Sequence, residues 1–286
     1  VDPRLLRYFV AVAEERNIGR AAVRLRMTQP PLSRAIKELE TDLGVALLER
    51  TSNGVSLTPA GTVLLDEARA LLERADRARS RVSAAGGAAS LTIGTLVDSA
   101  EQTGGRLAER FRARHPGIDI RIREADLADP TTGLRAGLVD VALTRVPFTL
   151  AGISYQTLRS DPVGVVLRAD DPLAGRESLT LSDVSERRWF QFPTGTDPIW
   201  CAYWNGDAPL ETRREGPVVR TVTECLQAVL WNGTIGLTPL VHALPEGLTA
   251  VRLVDMPPSR TVVAWNTGTS NPLIQSLVEI ARAVYR

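Results

Sequence analysis

Between Leu5 and Gly61 the chain carries a chain of local signals that very few folds satisfy. Leu5, Leu6, Phe9, Val10 and Ala13 recur at helical spacing over residues 3–16, with charged residues on the other side. Ala21, Ala22 and Leu25 predict a second helix over 18–25, with Asn17 placed to cap it. After Arg26-Met27-Thr28, a third helix is predicted over 29–43, apolar at Leu32, Ile36, Leu39 and Leu43. Pro30 and Pro31 fall in its first turn, where amide groups have no intrahelical partner to lose. Two short helices joined by a tight turn and sharing an apolar face describe a helix-turn-helix.

The next residues extend that pattern. Strands are predicted over 47–50 and 55–58, and Asn53-Gly54 between them is a hairpin turn signal, so the pair reads as a wing. Thr58-Pro59 then starts a long helix reaching about Ala85, with Leu64, Ala68, Leu71, Ala75, Ala78 and Val82 at alternating four–three spacing. That is the seam of a coiled coil, and it predicts pairing with a second copy. Ala84-Ala85-Gly86-Gly87-Ala88-Ala89 reads as a helix stop and hinge.

Beyond Leu91 the texture changes. Strands are predicted over 91–96, 118–123, 139–144, 163–167, 189–192, 235–238 and 261–265, and helices over 105–115, 132–137, 223–231 and 272–284. Alternation of this kind predicts an α/β domain with a largely parallel sheet.

Charge supports a nucleic-acid partner for the head. Up to Lys37 there are eight basic and three acidic side chains, a net +5, although the whole chain is only +1. All but Lys37 of the 34 basic residues are Arg, a bias that points to genome composition more than to phosphate binding. On a helix starting at Gln29, the residues turned away from Leu32, Ile36 and Leu39 are Gln29, Pro30, Ser33, Arg34 and Lys37. Gln pairs bidentately with adenine and Arg or Lys with guanine, while Ser suits either base or phosphate. Thr51, Ser52, Asn53 and Arg50 on the wing suit sugar–phosphate contacts. A solvated polar face is the alternative reading of the stripe alone.

The segment LRYFVAVAEERNIGRAAVRLRMTQPPLSRAIKELETDLGVALLERTSNGVSLTPAG resembles the LysR-type transcriptional regulators, through the AA-x-x-L helix, TQPPLSRAIKELE, LG-x-x-L-x-x-R and LTPAG. LTIGTL, RLAERFRARHPGI, LRAGLVDVALTR, PVGVVLRADDPLA and WNGTIGLTP extend the likeness over the whole chain. The resemblance implies an α+β multidomain protein: an N-terminal winged helix-turn-helix (1–58), a linker helix and hinge (59–89), and a two-lobed α/β effector domain like a periplasmic binding protein (90–286). Lobe I is expected over about 90–160 and 267–286, and lobe II over about 161–266. The implied function is repression or activation at promoter or operator duplex DNA, under a small-molecule effector bound between the lobes. The implied assembly is a homodimer through the linker helix, and a dimer of dimers. By matching position, Gln29, Pro30, Ser33, Arg34 and Lys37 become the base-facing set, and Thr28, Arg50 and Ser52 phosphate contacts. Gly19 departs from the Thr or Ser the family often carries there.

Ligands of open α/β sheets gather at the carboxyl ends of strands. That rule, with the resemblance, selects Asp98, Ser99, Thr144, Arg145, Thr194, Thr196 and Thr223 as effector contacts. Arg145 suits an anion, whereas Asp98 and Glu101 suit a hydroxyl, amine or cation. Thr223 as a helix cap and Arg145 paired with an acid across the hinge are the structural alternatives. Gly104-Gly105 starts a helix where bulkier residues are commoner in the family. Trp200, Tyr203 and Trp204 in IWCAYWNG favour lobe packing over a stacking wall. Cys201 lies roughly where peroxide-sensing relatives carry a redox cysteine, but Cys225 is far along the chain, which favours two buried free thiols.

No enzyme constellation is legible. His115 and His242 are far apart, a Cys–His nucleophile has nothing to position it, and no phosphate-binding glycine fingerprint is present. No metal, cofactor or membrane partner is predicted, and no apolar run reaches the ~18 residues of a membrane span. Two cysteines and no signal-peptide pattern predict a cytoplasmic protein. A solute carrier built on the α/β body is the competing reading, and it would have no use for the helix at Gln29.

Overall fold

The computed structural model describes residues 2–51, 54–85, 90–96, 104–206, 214–241 and 243–285. The chain divides into two compact units, Val1–Gly87 and Ala88–Arg286.

The first unit holds α1 (Pro3–Glu15), α2 (Ile18–Arg24), α3 (Gln29–Leu43), the hairpin β1 (Leu48–Thr51) and β2 (Gly54–Leu57), and α4 (Pro59–Ala85). Phe9, Val12, Ala21, Leu32 and Leu39 are fully enclosed at its centre. Each large apolar side chain so buried contributes roughly 1.5–3 kcal/mol. Asn17 caps α2 by accepting from Arg20 N at 3.0 Å, so Gly19 costs the helix no cap. Thr58 Oγ1 donates to Ala46 O at 2.8 Å and accepts from Gly61 N at 2.9 Å, which starts α4 and ties it to the wing. Gly61 has no room for a side chain: a Cβ there would lie 2.1 Å from Leu47 O. The expected seam of α4 divides. Leu64 and Ala68 pack against the head's own core, while Leu71, Ala78 and Val82 stay exposed.

The second unit is two-lobed. Lobe I is a five-stranded sheet in the order β4-β3-β5-β13-β6, built from β3 (Ser90–Thr95), β4 (Asp119–Glu124), β5 (Val141–Val146), β6 (Ile153–Asp161) and β13 (Ser259–Asn266). One face carries α5 (Gly104–Arg114) and α8 (Pro272–Val284), which enclose Leu91, Phe111, Val141, Val263 and Leu277. Lobe II is a four-stranded sheet in the order β11-β7-β12-β8, from β7 (Val163–Arg168), β8 (Ser178–Leu179), β11 (Gly236–Pro239) and β12 (Leu248–Leu253). The parallel pair β9 (Arg188–Gln191) and β10 (Arg214–Val218), with α6 (Pro198–Trp204) and α7 (Val222–Asn232), completes it. A single core, including Leu134, Val146 and Val262 of lobe I and Val165, Trp189 and Val229's neighbour Ala228 of lobe II, runs through both lobes.

Four expectations are corrected. The sheets are mixed, since β13 runs antiparallel to both β5 and β6, and β7 antiparallel to both β11 and β12. Residues 132–137 form consecutive turns and no helix, because Thr132, Gly133 and Gly137 all take positive φ (56, 93 and 66°). The chain returns to lobe I at Ser259 instead of residue 267, since all of β13 belongs to the lobe I sheet. Thr223 does not cap α7; Thr221 does, accepting from Glu224 N at 3.1 Å.

The two crossovers between lobes are anchored together. Arg145 at the end of β5 places Nη1 2.9 Å from Asp161 Oδ2 at the end of β6, and 3.3 Å from Ser259 Oγ at the start of β13. Arg159 Nε is 2.7 Å from the other oxygen of Asp161. Arg145 and Asp161 are 1% and 2% exposed, so this ion pair sits wholly inside the protein.

Candidate nucleic-acid interface and interlobe cavity

Helix α3 turns Leu32, Ala35, Ile36 and Leu39 inward. The opposite side presents Thr28, Gln29, Pro30, Arg34 and Lys37 to solvent, with Ser33 half-buried. The contrast with α2 is informative. There Arg24 is 2.9 Å from Glu14 and Arg20 is 3.8 Å from Glu15, whereas neither Arg34 nor Lys37 has an ion-pair partner among the described residues. Thr28 occupies the N-cap position but makes no side-chain cap bond, which leaves its hydroxyl for another acceptor.

The wing is fixed to this helix from below. Glu40, on the inner flank of α3, accepts from the amides of Leu47 at 2.8 Å and Leu48 at 3.2 Å. Val55 N donates to Arg16 O at 3.0 Å, which holds β2 against the end of α1. Ser52 and Asn53 lie outside the described residues, as does the side chain of Arg50. The geometry therefore joins Thr28, Gln29, Pro30, Ser33, Arg34 and Lys37 on one surface, with the wing hairpin rigidly connected to it.

In the second unit a cavity of about 290 Å³ opens between the lobes, at the small end of the usual range for small-molecule sites. Leu96 and Leu127, just past β3 and β4, supply its lobe I side, and Phe190, Trp200, Trp204 and Thr223 line the lobe II side. Two sets of bonds bridge the lobes beside it. Leu127 N donates to Arg220 O at 2.7 Å, with Arg220 Nη1 3.5 Å from Asp126. Thr149 N donates to Asp197 Oδ2 at 3.0 Å, with Arg135 Nη1 3.7 Å from the same oxygen. Asp197 also caps α6 through the amides of Ile199 and Trp200. Burial works against its charge, but the bonds from Thr149, Trp200 and Ile199 outweigh it and hold the carboxyl below its ordinary range.

The sequence matches the bacterial regulatory helix-turn-helix model of the lysR family over residues 3–62, and the LysR substrate binding domain model over 84–286. The chain belongs to the LysR family. Among LysR-type relatives, the regulator TfdS of Cupriavidus pinatubonensis is 31% identical over 98% of this chain and 97% of its own. Full-length BenM matches with a TM-score of 0.55 at 28% identity, over 100% of this chain and 97% of that one. Full-length CbnR complexed with its target DNA matches with a TM-score of 0.51 at 26% identity, covering 100% of both. The protein is thus a LysR-type DNA-binding transcriptional regulator with a C-terminal effector-binding domain. The family is regulatory, and its named members are transcriptional regulators.

Of the described residues expected at a LysR effector site, only Thr223 lines the cavity. Thr144 is enclosed, its hydroxyl donating to Pro130 O at 2.6 Å, and Thr196 donates to Pro193 O at 2.7 Å. Arg145 is held by Asp161, the structural alternative for that residue. Thr194 is exposed outside the lining, and Asp98, Ser99 and Glu101 lie outside the described residues. Trp200 and Trp204 are both packing and wall: they are buried, their rings are 5.4 Å apart, and they face the cavity.

Neither thiol is activated. Burial, aided by the Asp197 charge, pushes Cys201 up, and burial pushes Cys225 up to about 12. His115 has a structural place, with Nε2 2.7 Å from Ser276 Oγ and its ring against Phe111. His242 lies outside the described residues. Among those described, no cluster of His, Cys, Asp or Glu could hold a metal ion, and no helix is long and apolar enough to cross a membrane. The expectations drawn from sequence omitted Asp197 as the bridge between lobes. Asp197-Pro198 is the signal for it, a capping acid before a proline at the first helical position.

Proposed function

We propose that this protein binds promoter DNA as a homodimer, with α3 in the major groove, and answers to a small molecule held in the interlobe cavity. Gln29, Ser33, Arg34 and Lys37 read base edges beside Pro30, while Thr28, Arg50 and Ser52 hold phosphates. Pairing runs through α4, where exposed Leu71, Ala78 and Val82 form an apolar row that water does not favour. Two such dimers assemble into a tetramer. The protein acts by binding without turnover, in the cytoplasm where its DNA lies.

The observation that carries this reading is the exposure of Gln29, Arg34 and Lys37 together on one helix face, with no ion-pair partner for either cation among the described residues. The ligand acts by population shift. A molecule touching Leu96 and Leu127 on one lobe and α6 and α7 on the other favours one degree of lobe closure, and that bias reaches the subunit arrangement on DNA. A gel-shift titration against the protein's own upstream DNA tests the interface. Arg34→Ala and Lys37→Ala, singly and together, weaken specific binding, each by about 1–3 kcal/mol where a base contact is lost, while circular dichroism and oligomeric state stay unchanged. Unaltered affinity in the double variant refutes the assigned face.

A further inference from the structure

The wall of the interlobe cavity constrains the small molecule that it can hold. Among the described residues that line it, none is charged. Besides two indole N–H groups, its described polar side chains are the hydroxyls of Thr223 and Thr238 and the thiol of Cys225, which burial keeps protonated. Four of its side chains are aromatic: Phe190, Phe192, Trp200 and Trp204. Phe190 and Phe192 meet edge to face at 5.9 Å, and the two indoles at 5.4 Å, so the rings form two packed pairs.

Two arginines at the lobe boundary are already engaged. Arg145 is ion-paired with Asp161, and Arg220 with Asp126, and neither lines the cavity. An anion entering this space would lose its hydration and meet no cation among the described lining residues, which makes its burial costly. A flat apolar molecule meets no such penalty and gains contact with every ring. One further feature narrows the chemistry. The indole N–H groups of Trp200 and Trp204 are buried and have no acceptor among the described residues, a state that costs free energy until an acceptor arrives.

We propose that the effector is an uncharged aromatic compound of one or two fused rings carrying a hydrogen-bond acceptor oxygen, held between the Phe190–Phe192 and Trp200–Trp204 pairs. This rests on the reading of the interlobe cavity as the effector site.

The test pairs neutral and anionic probes of matched shape on the full-length protein. Acetophenone and 2-acetylnaphthalene are titrated beside benzoate and 2-naphthoate, with tryptophan fluorescence and thermal shift as readouts. Leu226→Trp fills the cavity, and Ala243→Trp on its exposed rim serves as a second blocking variant should the first not fold. The ketones bind at least tenfold more tightly than their matching carboxylates, and a blocking variant weakens them at least tenfold. Carboxylates that bind as tightly or more tightly, and are weakened by the same variants, overturn the ligand class while the cavity stands as the effector site. Binding that no blocking variant weakens, or no binding by any of the four, overturns the assignment of the cavity itself.

Discussion

Replacing Asp161 with Asn keeps the shape of the side chain and removes its charge from a site where Arg145 is 1% exposed. Arg145 then keeps a positive charge inside the protein with its 2.9 Å counterion gone, and Arg159 loses its partner at 2.7 Å. Breaking a buried pair from one side costs about 3–5 kcal/mol, because the remaining charge stays desolvated. For a unit of about 200 residues, at 2–4 °C for each kcal/mol, the melting temperature falls by roughly 6–20 °C. Thermal unfolding of the full chain followed by circular dichroism measures it. The double replacement Arg145→Met with Asp161→Leu regains most of the loss, since both desolvation costs vanish together. The ends of β6 and β13 that Arg145 ties together are also where the chain passes between lobes, so Asp161→Asn lowers ligand-dependent changes in DNA binding as well. A single variant within 0.5 kcal/mol of the wild type refutes the reasoning, because it would mean that Arg145 is not in fact sealed from water.

Two further outcomes follow from local geometry. Gly61→Ala places a methyl group against Leu47 O, a backbone atom that cannot step aside, so the head loses stability by several kcal/mol and DNA binding fails on mild heating, as a gel shift at graded temperatures reads. Asp197 has a folded-state pKa below its unfolded value of about 3.9, so its contribution is present above that value and is lost as pH falls through the folded-state pKa. Urea midpoints measured from pH 6 down to 3 therefore fall less steeply in Asp197→Asn than in the wild type, and parallel slopes would contradict the assigned bonds.

The head was legible because each of its motif residues does a job on its immediate neighbours. Asn17 caps the helix that follows it, Thr58 and Gly61 start α4 against the wing, and the proline pair opens α3. The spacing of Leu32, Ile36 and Leu39 fixes which side of α3 is left outside, so the exposed set could be named from periodicity alone. The effector domain was read less well for a physical reason. Its cavity gathers Leu96, Val166, Phe190, Trp204 and Thr223 from five separate elements or their ends, and no local spacing links them. Arg145 looked like a ligand contact because its counterion, Asp161, lies on a different strand. The strand Ile153–Asp161 was overlooked since its half-exposed pattern, with Arg159 within it, lacks a clean alternation. The helix expected over 132–137 failed because two glycines and Thr132 adopt left-handed backbone there, stabilised by Asp129, which accepts from Thr131 N and Gly133 N.

Base-resolved binding tests the central claim most directly. Affinities of the wild type, Gln29→Ala and Arg34→Ala are measured against a panel of single-base variants of the operator at one fixed salt concentration. If α3 reads base edges, each substitution removes discrimination at one or two positions, by about 1–3 kcal/mol, and leaves the other positions as they were. Contradiction would take the form of an unchanged discrimination profile, or of an equal loss of affinity at every position, which would make these side chains phosphate anchors only.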